Sequence, residues 1–219
     1  MRIEQPEGVR GSLKWIQKVV RQCPAILDKQ LIHLGTLEPG QSLTWISPLF
    51  SDGYAEYRDQ KFLDCIGQKH LASELKEFWP NRGPQWDGLA RDGEGQVFLF
   101  EAKAHASEMV STCKAGETSK AKITVACNSA KHFFGASQNS DWLSGYYQYA
   151  NRLAHLAFLR RHGVKAWLVF LYFTGDLEMN GPTREMEWKP YIELALQHLG
   201  LPVHTEWVVS VFQEVTELQ

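Results

Sequence analysis

The sequence predicts an α/β protein in which a mixed β-sheet is flanked by helices. Residues 97–103 form an apolar run after a glycine-rich turn at residues 92–95, as expected for the second strand of a hairpin. Residues 165–173 are nearly all apolar, which is typical of a strand buried on both faces. The long helical segment before residue 165 favours a crossover connection onto the same sheet. These observations predict one sheet with helices on both faces.

The composition is that of an ordinary globular domain. The chain has 219 residues, of which 44% are hydrophobic and 22% charged, and its net charge is −2. This net charge argues against a polycation that binds nucleic acid through its overall charge, but a local basic groove remains open. We expect a single domain, residues 1–219, in which an N-terminal helical portion, residues 1–53, packs on a core formed by residues 54–219.

The cysteines and the apolar runs indicate a cytoplasmic protein without a membrane segment. The four cysteines are scattered and form no Cys-x-x-Cys pair, so they suit a reducing compartment rather than a zinc ribbon. The first ten residues are polar and lack the apolar core of a signal peptide. The longest apolar run, residues 166–173, is too short to span a bilayer.

Three helices are predicted before the hairpin. Apolar residues at helical spacing predict a helix over residues 12–28 and a second over residues 54–66. A shorter helix, residues 71–79, is stopped by Pro80. Residues 47–52 and 81–84 have the composition of loops and turns.

Three helices and two strands are predicted after the hairpin. Ser119 is a candidate cap for a helix that runs to about Phe134. The clearest helix is predicted to begin at Asp141, whose charge favours the positive end of the helix dipole, and to end at His162 before a glycine. The remaining elements are a strand at residues 165–173, a helix at 188–199 and a strand at 207–212.

Charged side chains meet where the predicted hairpin strands end. Glu101 and Lys103 are two residues apart on one strand, so they point to the same face. The hairpin turn brings Asp87 beside them. Two carboxylates and one ammonium group in one place can hold a divalent cation and activate a water. Asp87 and Glu101 are therefore the candidate metal ligands, and Lys103 is the third candidate catalytic residue.

The order Asp87, hairpin, Glu101-x-Lys103 and helix resembles the PD-(D/E)XK nuclease superfamily. The resemblance implies a restriction-endonuclease-like fold, with Asp and Glu as ligands of Mg²⁺ (or Mn²⁺) and Lys orienting the attacking water. It also implies cleavage of nucleic acid, with DNA the expected substrate of an endonuclease or exonuclease. One departure is that Trp86 precedes Asp87 where the superfamily often has Pro, and Pro84 lies three residues before Asp87.

Further residues are candidates to complete the site. The superfamily often takes a Glu from a helix before the hairpin, and Glu56 and Glu74 are in the predicted helices there; ordinary surface charge is the alternative for each. His105 continues the alternation of Glu101 and Lys103, and Glu108 follows closely. A lone His is more often a hydrogen-bonded structural residue.

The long helix predicted over residues 141–162 and the segment before it supply further candidates. Gln148 and Arg152 share one helix face, where exonuclease branches carry Gln-x-x-x-Tyr, so the match is partial. Gln148 can hold Lys103 or a water, and Arg152 can grip a phosphate. The candidates for phosphate contact are Lys114, Lys120, Lys122 and Lys131. The candidates for base stacking, or for ordinary core packing, are Trp79, Trp86, Trp142 and Trp188.

Two other functions stay open at this stage. The near-neutral charge, and the lack of a separate DNA-binding segment, also fit a non-catalytic binding or assembly module of the same fold. A metal-dependent hydrolase of small molecules would use Asp87, Glu101 and His105, and would prefer Zn²⁺ to Mg²⁺. Nucleases of this fold that cut both strands are often dimers, so a homodimer or a partner protein for specificity is also possible.

Overall fold

The computed structural model describes residues 1–218, and within them the chain forms seven α-helices and seven β-strands. The helices are α1 (Gly11–Gln22), α2 (Pro24–His33), α3 (Asp59–Cys65), α4 (Ala72–Phe78), α5 (Glu117–Phe134), α6 (Tyr147–Arg161) and α7 (Glu185–Leu199). The strands are β1 (Arg2–Ile3), β2 (Thr44–Ser47), β3 (Glu56–Tyr57), β4 (Gly88–Arg91), β5 (Val97–Lys103), β6 (Ala166–Thr174) and β7 (Val208–Glu214).

The main sheet is mixed, and its five strands lie in the order β2-β4-β5-β6-β7. Strands β2, β4 and β5 pair antiparallel, whereas β5, β6 and β7 pair parallel. Helices α5 and α6 form the crossover between β5 and β6. A second, two-stranded antiparallel sheet pairs β1 with β3. The predicted α/β class, the hairpin and the crossover are confirmed.

Helices cover both faces of the main sheet. Along β5, the side chains of Val97 and Leu99 belong to one hydrophobic cluster, which also contains residues of α3 to α7. Those of Phe98 and Phe100 alternate to the other face, where they join residues of α1 and α2 in a second cluster. All seven residues of β5 are buried. The strand that carries the Glu-x-Lys pair is therefore the centre of the fold.

Two predicted helices begin or end elsewhere. The helix predicted over residues 12–28 is two helices, because the chain breaks at Cys23 and Pro24 starts a new one. Residues 54–58 were predicted to be helical, but Tyr54 has a φ of +49° and β3 follows, so α3 begins only at Asp59.

The long helix also begins later than predicted, at Tyr147 rather than Asp141. Asp141 does act as a cap, but it caps a turn: its Oδ1 accepts the N–H groups of Leu143 and Ser144. Gly145 has a φ of +70°, a left-handed conformation that interrupts the chain before the helix.

The N-terminal portion is not only helical. Strand β2 lies within residues 1–53 and forms an edge of the main sheet, where it pairs with β4. Residues 1–53 and residues 54–218 therefore both contribute strands to the main sheet. None of the helices in residues 1–218 combines the length and apolar character needed to cross a membrane.

Candidate functional site

Strand register brings Asp87 beside Glu101. Gly88 pairs with Phe100, so Asp87, one residue earlier, lies across from Glu101 at the end of the ladder. The Ala102 N–H donates a hydrogen bond of 2.7 Å to Asp87 Oδ2. This bond ties the carboxylate to the strand that carries Glu101 and Lys103.

Glu101 is the centre of a buried ion cluster. Lys103 Nζ donates to Glu101 Oε1, and Arg152 Nε donates to Glu101 Oε2 at 2.5 Å. Glu101, Lys103 and Arg152 are 1%, 4% and 4% exposed. Both carboxylate oxygens therefore have a cationic partner, which buried charges require. Lys103 Nζ also lies 3.5 Å from Gln148 Oε1.

Arg152 is held on several sides by groups other than Glu101. Its Nη1 donates to Asn151 Oδ1 at 2.9 Å and its Nη2 donates to the Gln85 carbonyl oxygen at 2.6 Å. The guanidinium carbon lies 5.0 Å from the centroid of the Trp86 ring. The phosphate contact predicted for Arg152 stays a prediction; in this structure its guanidinium donates to Glu101.

Glu56 reaches the site from a strand rather than from the predicted helix. It lies on β3, which meets the chain before β4 through a bridge between Tyr57 and Trp86. Glu56 Oε2 accepts hydrogen bonds from Gln85 Nε2 and, at 3.2 Å, from Gln5 Nε2. Gln85 thus links Glu56 through its side chain to Arg152 through its carbonyl.

The three carboxylates do not share one electrostatic environment. Burial, together with the charges of Glu101 and Glu56, raises the pKa of Asp87 well above its usual range. Burial is also the main cause that raises the pKa of Glu56. Burial acts on Glu101 in the same direction, but Arg152 and Lys103 outweigh it and lower the pKa of Glu101. Glu101 is therefore the carboxylate whose ionised form is favoured, whereas burial favours the protonated forms of Asp87 and Glu56.

Part of this group borders an open cleft of about 500 Å³, whereas Glu101 and Lys103 are not among its lining residues. Glu56, Asp87, Gln148 and Arg152 line it, together with residues from the loops before β4 and before α6. The other lining residues are Gly83, Pro84, Gln85, Ser111, Thr112, Lys114, Tyr147 and Asn151. The cleft gives a substrate access to Glu56 and Asp87.

The residues fit a divalent cation held by few protein ligands. Among residues 1–218, no group of three or more His, Cys, Asp and Glu side chains has the arrangement of a metal site. Asp87 and Glu101 could supply two oxygens, since a carboxylate oxygen that accepts one hydrogen bond keeps a second lone pair. Mg²⁺ is commonly held by one or two carboxylates and keeps several waters. A cation here would favour the ionised form of Asp87, whose pKa is raised by burial and by the charges of Glu101 and Glu56.

Three of the predicted supporting residues lie outside this group. Glu74 is exposed on α4 and does not line the cleft. His105 Nδ1 lies 2.6 Å from Ser107 Oγ, and its Nε2 lies 3.4 Å from Glu108 Oε1. Glu108 Oε2 accepts the N–H of Ala104 at 2.6 Å. His105 and Glu108 thus belong to the turn that ends β5.

The residues predicted to contact phosphates or bases also lie in different places. Lys114 lines the cleft. Lys131 is buried and donates to the carbonyls of Gln138 and Ser140, so it is a structural residue. Trp86, Trp142 and Trp188 are core residues, each at most 1% exposed.

Sequence reasoning gave no role to Gln85 or Asn151, which connect the charged groups. Gln85 bonds to Glu56 and Arg152, which are both distant from it in the sequence. Asn151 bonds to Arg152, its neighbour on α6. Gln85 does stand two residues before Asp87, so the same strand alternation that pairs Glu101 with Lys103 could have identified it.

Compared with known protein families, curated proteins and solved structures, the chain shows no significant match.

Proposed function

We propose that this protein hydrolyses phosphodiester bonds of nucleic acid with Mg²⁺ or Mn²⁺ bound at Asp87 and Glu101. The observation that carries the proposal is the convergence of Asp87, Glu101 and Lys103 beside an open cleft, of which Asp87 is a lining residue and has a pKa raised mainly by burial. Perturbed carboxylates that face a cleft are typical of functional sites.

Each residue has a distinct task in this proposal. A bound divalent cation neutralises charge on the phosphate and lowers the pKa of a coordinated water. Asp87 and Glu101 would supply its protein oxygens. Lys103, which donates to Glu101 and lies near Gln148, would orient the attacking water or donate to the scissile phosphate. Arg152 is a positioning residue, because it fixes the second oxygen of Glu101.

The resemblance to the PD-(D/E)XK superfamily supports the same chemistry, and it makes DNA the first substrate to test. We assign the protein to that restriction-endonuclease-like fold as part of the proposal. A cytoplasmic location fits four cysteines that are all free thiols. A homodimer, or a partner protein that supplies specificity, fits a chain in which we assign no separate recognition domain.

The test is a cleavage assay with linear, circular and single-stranded DNA in Mg²⁺, Mn²⁺ or EDTA. The key variant is Asp87→Asn, because an amide oxygen can still accept the Ala102 N–H while the negative charge is lost. We expect cleavage by the wild type to be abolished in this variant, in Glu101→Gln and by EDTA. Glu74→Gln is the matched control, since it neutralises an exposed carboxylate outside the cleft. Metal-dependent cleavage that survives Asp87→Asn in folded protein would exclude the assignment.

A second candidate is a non-catalytic binding module of the same fold. The observation that favours it is that both oxygens of Glu101 already have cationic partners within the chain. This alternative predicts no cleavage of any nucleic acid and no specific metal site. Calorimetric titration with Mg²⁺ and Mn²⁺ separates the two, because binding that is abolished by Asp87→Ala contradicts the non-catalytic module.

A further inference from the structure

A second, smaller cavity of about 120 Å³ lies beside the cleft. Its walls come from α3, α4, α6 and the turn at residues 80–81, and include Asp59, Leu75, Trp79, Asn81 and His155. This volume is well below the roughly 300–1,000 Å³ of a site for a drug-sized ligand. It suits one planar group of about the size of a nucleobase, with Trp79 as an aromatic wall.

His155 lines this cavity and carries one hydrogen-bond acceptor. The residue is 2% exposed, and burial lowers its pKa to about 3, so its ring is neutral at physiological pH. Its Nδ1 lies 2.8 Å from the Asn151 carbonyl oxygen, which can only accept, so Nδ1 carries the proton. Nε2 is then an acceptor, and none of the hydrogen bonds found among residues 1–218 engages it. The ring meets Trp79 edge to face, with centroids 4.7 Å apart.

Asp59 supplies a second acceptor close to the first. It has a φ of +54°, an uncommon conformation for a residue other than glycine. Its Oδ1 accepts the Gly83 N–H at 2.8 Å, which holds the turn before β4 against α3. A Cβ at residue 83 would lie 3.3 Å from both Asp59 Oδ1 and His155 Nε2. The two acceptors therefore meet beside Gly83, which also lines the cleft.

We propose that this cavity receives one unpaired nucleobase of a single-stranded nucleic acid bound in the cleft, and that it selects a base with adjacent N–H donors. Guanine fits best, because its N1–H and 2-amino group lie side by side on one edge. This inference rests on the proposed function, and it deepens it by naming the form of the substrate.

The chemistry of the walls favours this ligand over others. Two acceptors require donors, and the carboxylate of Asp59 repels phosphate or carboxylate groups. The ring of Trp79 offers a surface of the kind on which bases stack. Thymine places its single N–H between two carbonyl acceptors, so it matches the two acceptors poorly. Lys122 Nζ lies 2.7 Å from the carbonyl oxygen of Lys76, which lines the cavity, so positive charge is available for a neighbouring phosphate.

The test measures binding without cleavage. Fluorescence anisotropy in EDTA compares labelled single strands of about ten nucleotides, each a dT strand with one central dG, one central deoxyinosine or neither. Deoxyinosine lacks only the 2-amino donor of guanine. We expect the wild type to bind the dG strand roughly tenfold more tightly than the other two, as for a paired set of base contacts.

The protein variants locate the effect. Gly83→Ala places a methyl group 3.3 Å from both acceptors and should abolish the preference for dG. Gly93→Ala is the matched control, because its Cβ would meet nothing within 4 Å in the exposed hairpin turn, and it should keep the preference.

Several results would overturn the inference. These are equal affinity of the wild type for all three strands, no binding to any of them, and a preference that survives Gly83→Ala. The comparison of dG with deoxyinosine in the wild type stands even if Gly83→Ala fails to fold. A preference in EDTA without cleavage in Mg²⁺ would remove the proposed nuclease and keep the base pocket. Cleavage in Mg²⁺ without a preference for dG would keep the proposed nuclease and remove the base pocket.

Discussion

At the residue scale, the charges of Glu101, Lys103 and Arg152 depend on one another because all three are buried. Replacing Glu101 by Gln leaves two cations with no carboxylate partner. Loss of one member of a buried ion pair typically costs about 3–5 kcal/mol, most of it from the charge left behind. We expect Glu101→Gln to lower the free energy of unfolding by about this amount, measured by urea unfolding at neutral pH.

The double variant Glu101→Gln with Arg152→Gln tests that explanation. It removes one of the two cations left unpaired, so it should be more stable than Glu101→Gln alone. If Glu101→Gln is as stable as the wild type, the cluster is solvated and the carboxylate does not depend on its partners. This stability effect is also the reason that Asp87→Asn is the better variant for the cleavage assay.

His155 gives a second residue-scale prediction, on pH dependence. Its pKa falls from the ordinary 6.5 to about 3 in the folded protein. Between these values the unfolded chain binds one more proton than the folded chain, so stability is complete above pH 6.5 and falls as the pH decreases. The expected slope is about 1.4 kcal/mol per pH unit.

The control is His155→Phe, which keeps an aromatic ring beside Trp79 and cannot titrate. Urea unfolding between pH 6.5 and pH 5 should show a free energy of unfolding that declines less steeply in this variant than in the wild type. Titratable groups that both proteins share affect both pH profiles equally, so the difference between the profiles reports on His155. Parallel pH profiles would mean that the His155 ring is solvated.

The candidate site was predictable where local rules place the side chains. The two-residue period of a strand put Glu101 and Lys103 on one face, and hairpin pairing put Asp87 beside them. No local rule placed Arg152 on Glu101, because that contact joins α6 to β5 across 51 residues. His105 followed the same alternation as Lys103, but the strand ends at Lys103, so the rule no longer applies to it.

At the element scale, prediction succeeded for the long apolar segments and missed the short strand β2. Strands β5 and β6 are central and buried, so both are mostly apolar, and the charged residues of β5 stand at its end. Strand β2 has four residues, and its pairing with β4 is distant in sequence, so its sequence carries little signal. The start of α6 was wrong because an Asp that caps a turn resembles an Asp that caps a helix.

The turn after β5 gives an element-scale prediction. Glu108 accepts the buried N–H of Ala104 through Oε2 and the Ser12 hydroxyl, at 3.2 Å, through Oε1. It therefore joins the end of β5 to the start of α1. We expect Glu108→Ala to lower the free energy of unfolding by about 1–3 kcal/mol, because a buried donor loses its partner.

Glu108→Gln is the matched control for this contact. Its amide oxygen can still accept the Ala104 N–H, so it should retain most of the stability of the wild type in the same urea titration. Equal stability of the Ala and Gln variants would show that the link between β5 and α1 does not depend on this side chain.

At the scale of the whole molecule, the main sheet joins both hydrophobic clusters. Successive residues of β5 belong to opposite clusters, and strand β2 from the N-terminal portion pairs with β4 from the core. No boundary in residues 1–218 separates the sheet from either helical layer. The single domain expected from the sequence stays a prediction, and the N-terminal portion contributes a strand as well as helices to this arrangement.

This architecture predicts one cooperative unfolding transition, in which a core mutation on either face lowers the stability of the whole chain. Leu27 of α2 and Leu153 of α6 are 0% and 1% exposed and lie in different clusters. Each Leu→Ala variant should lose about 2–5 kcal/mol, from lost transfer energy and the cavity left behind. Far-UV circular dichroism and tryptophan fluorescence should then shift together to lower urea in both variants. A transition in Leu27→Ala that separates into two steps would mean that α1 and α2 unfold before the rest of the molecule. In that case the packing of α1 and α2 on the sheet would not couple their unfolding to that of β5, the strand that carries Glu101 and Lys103.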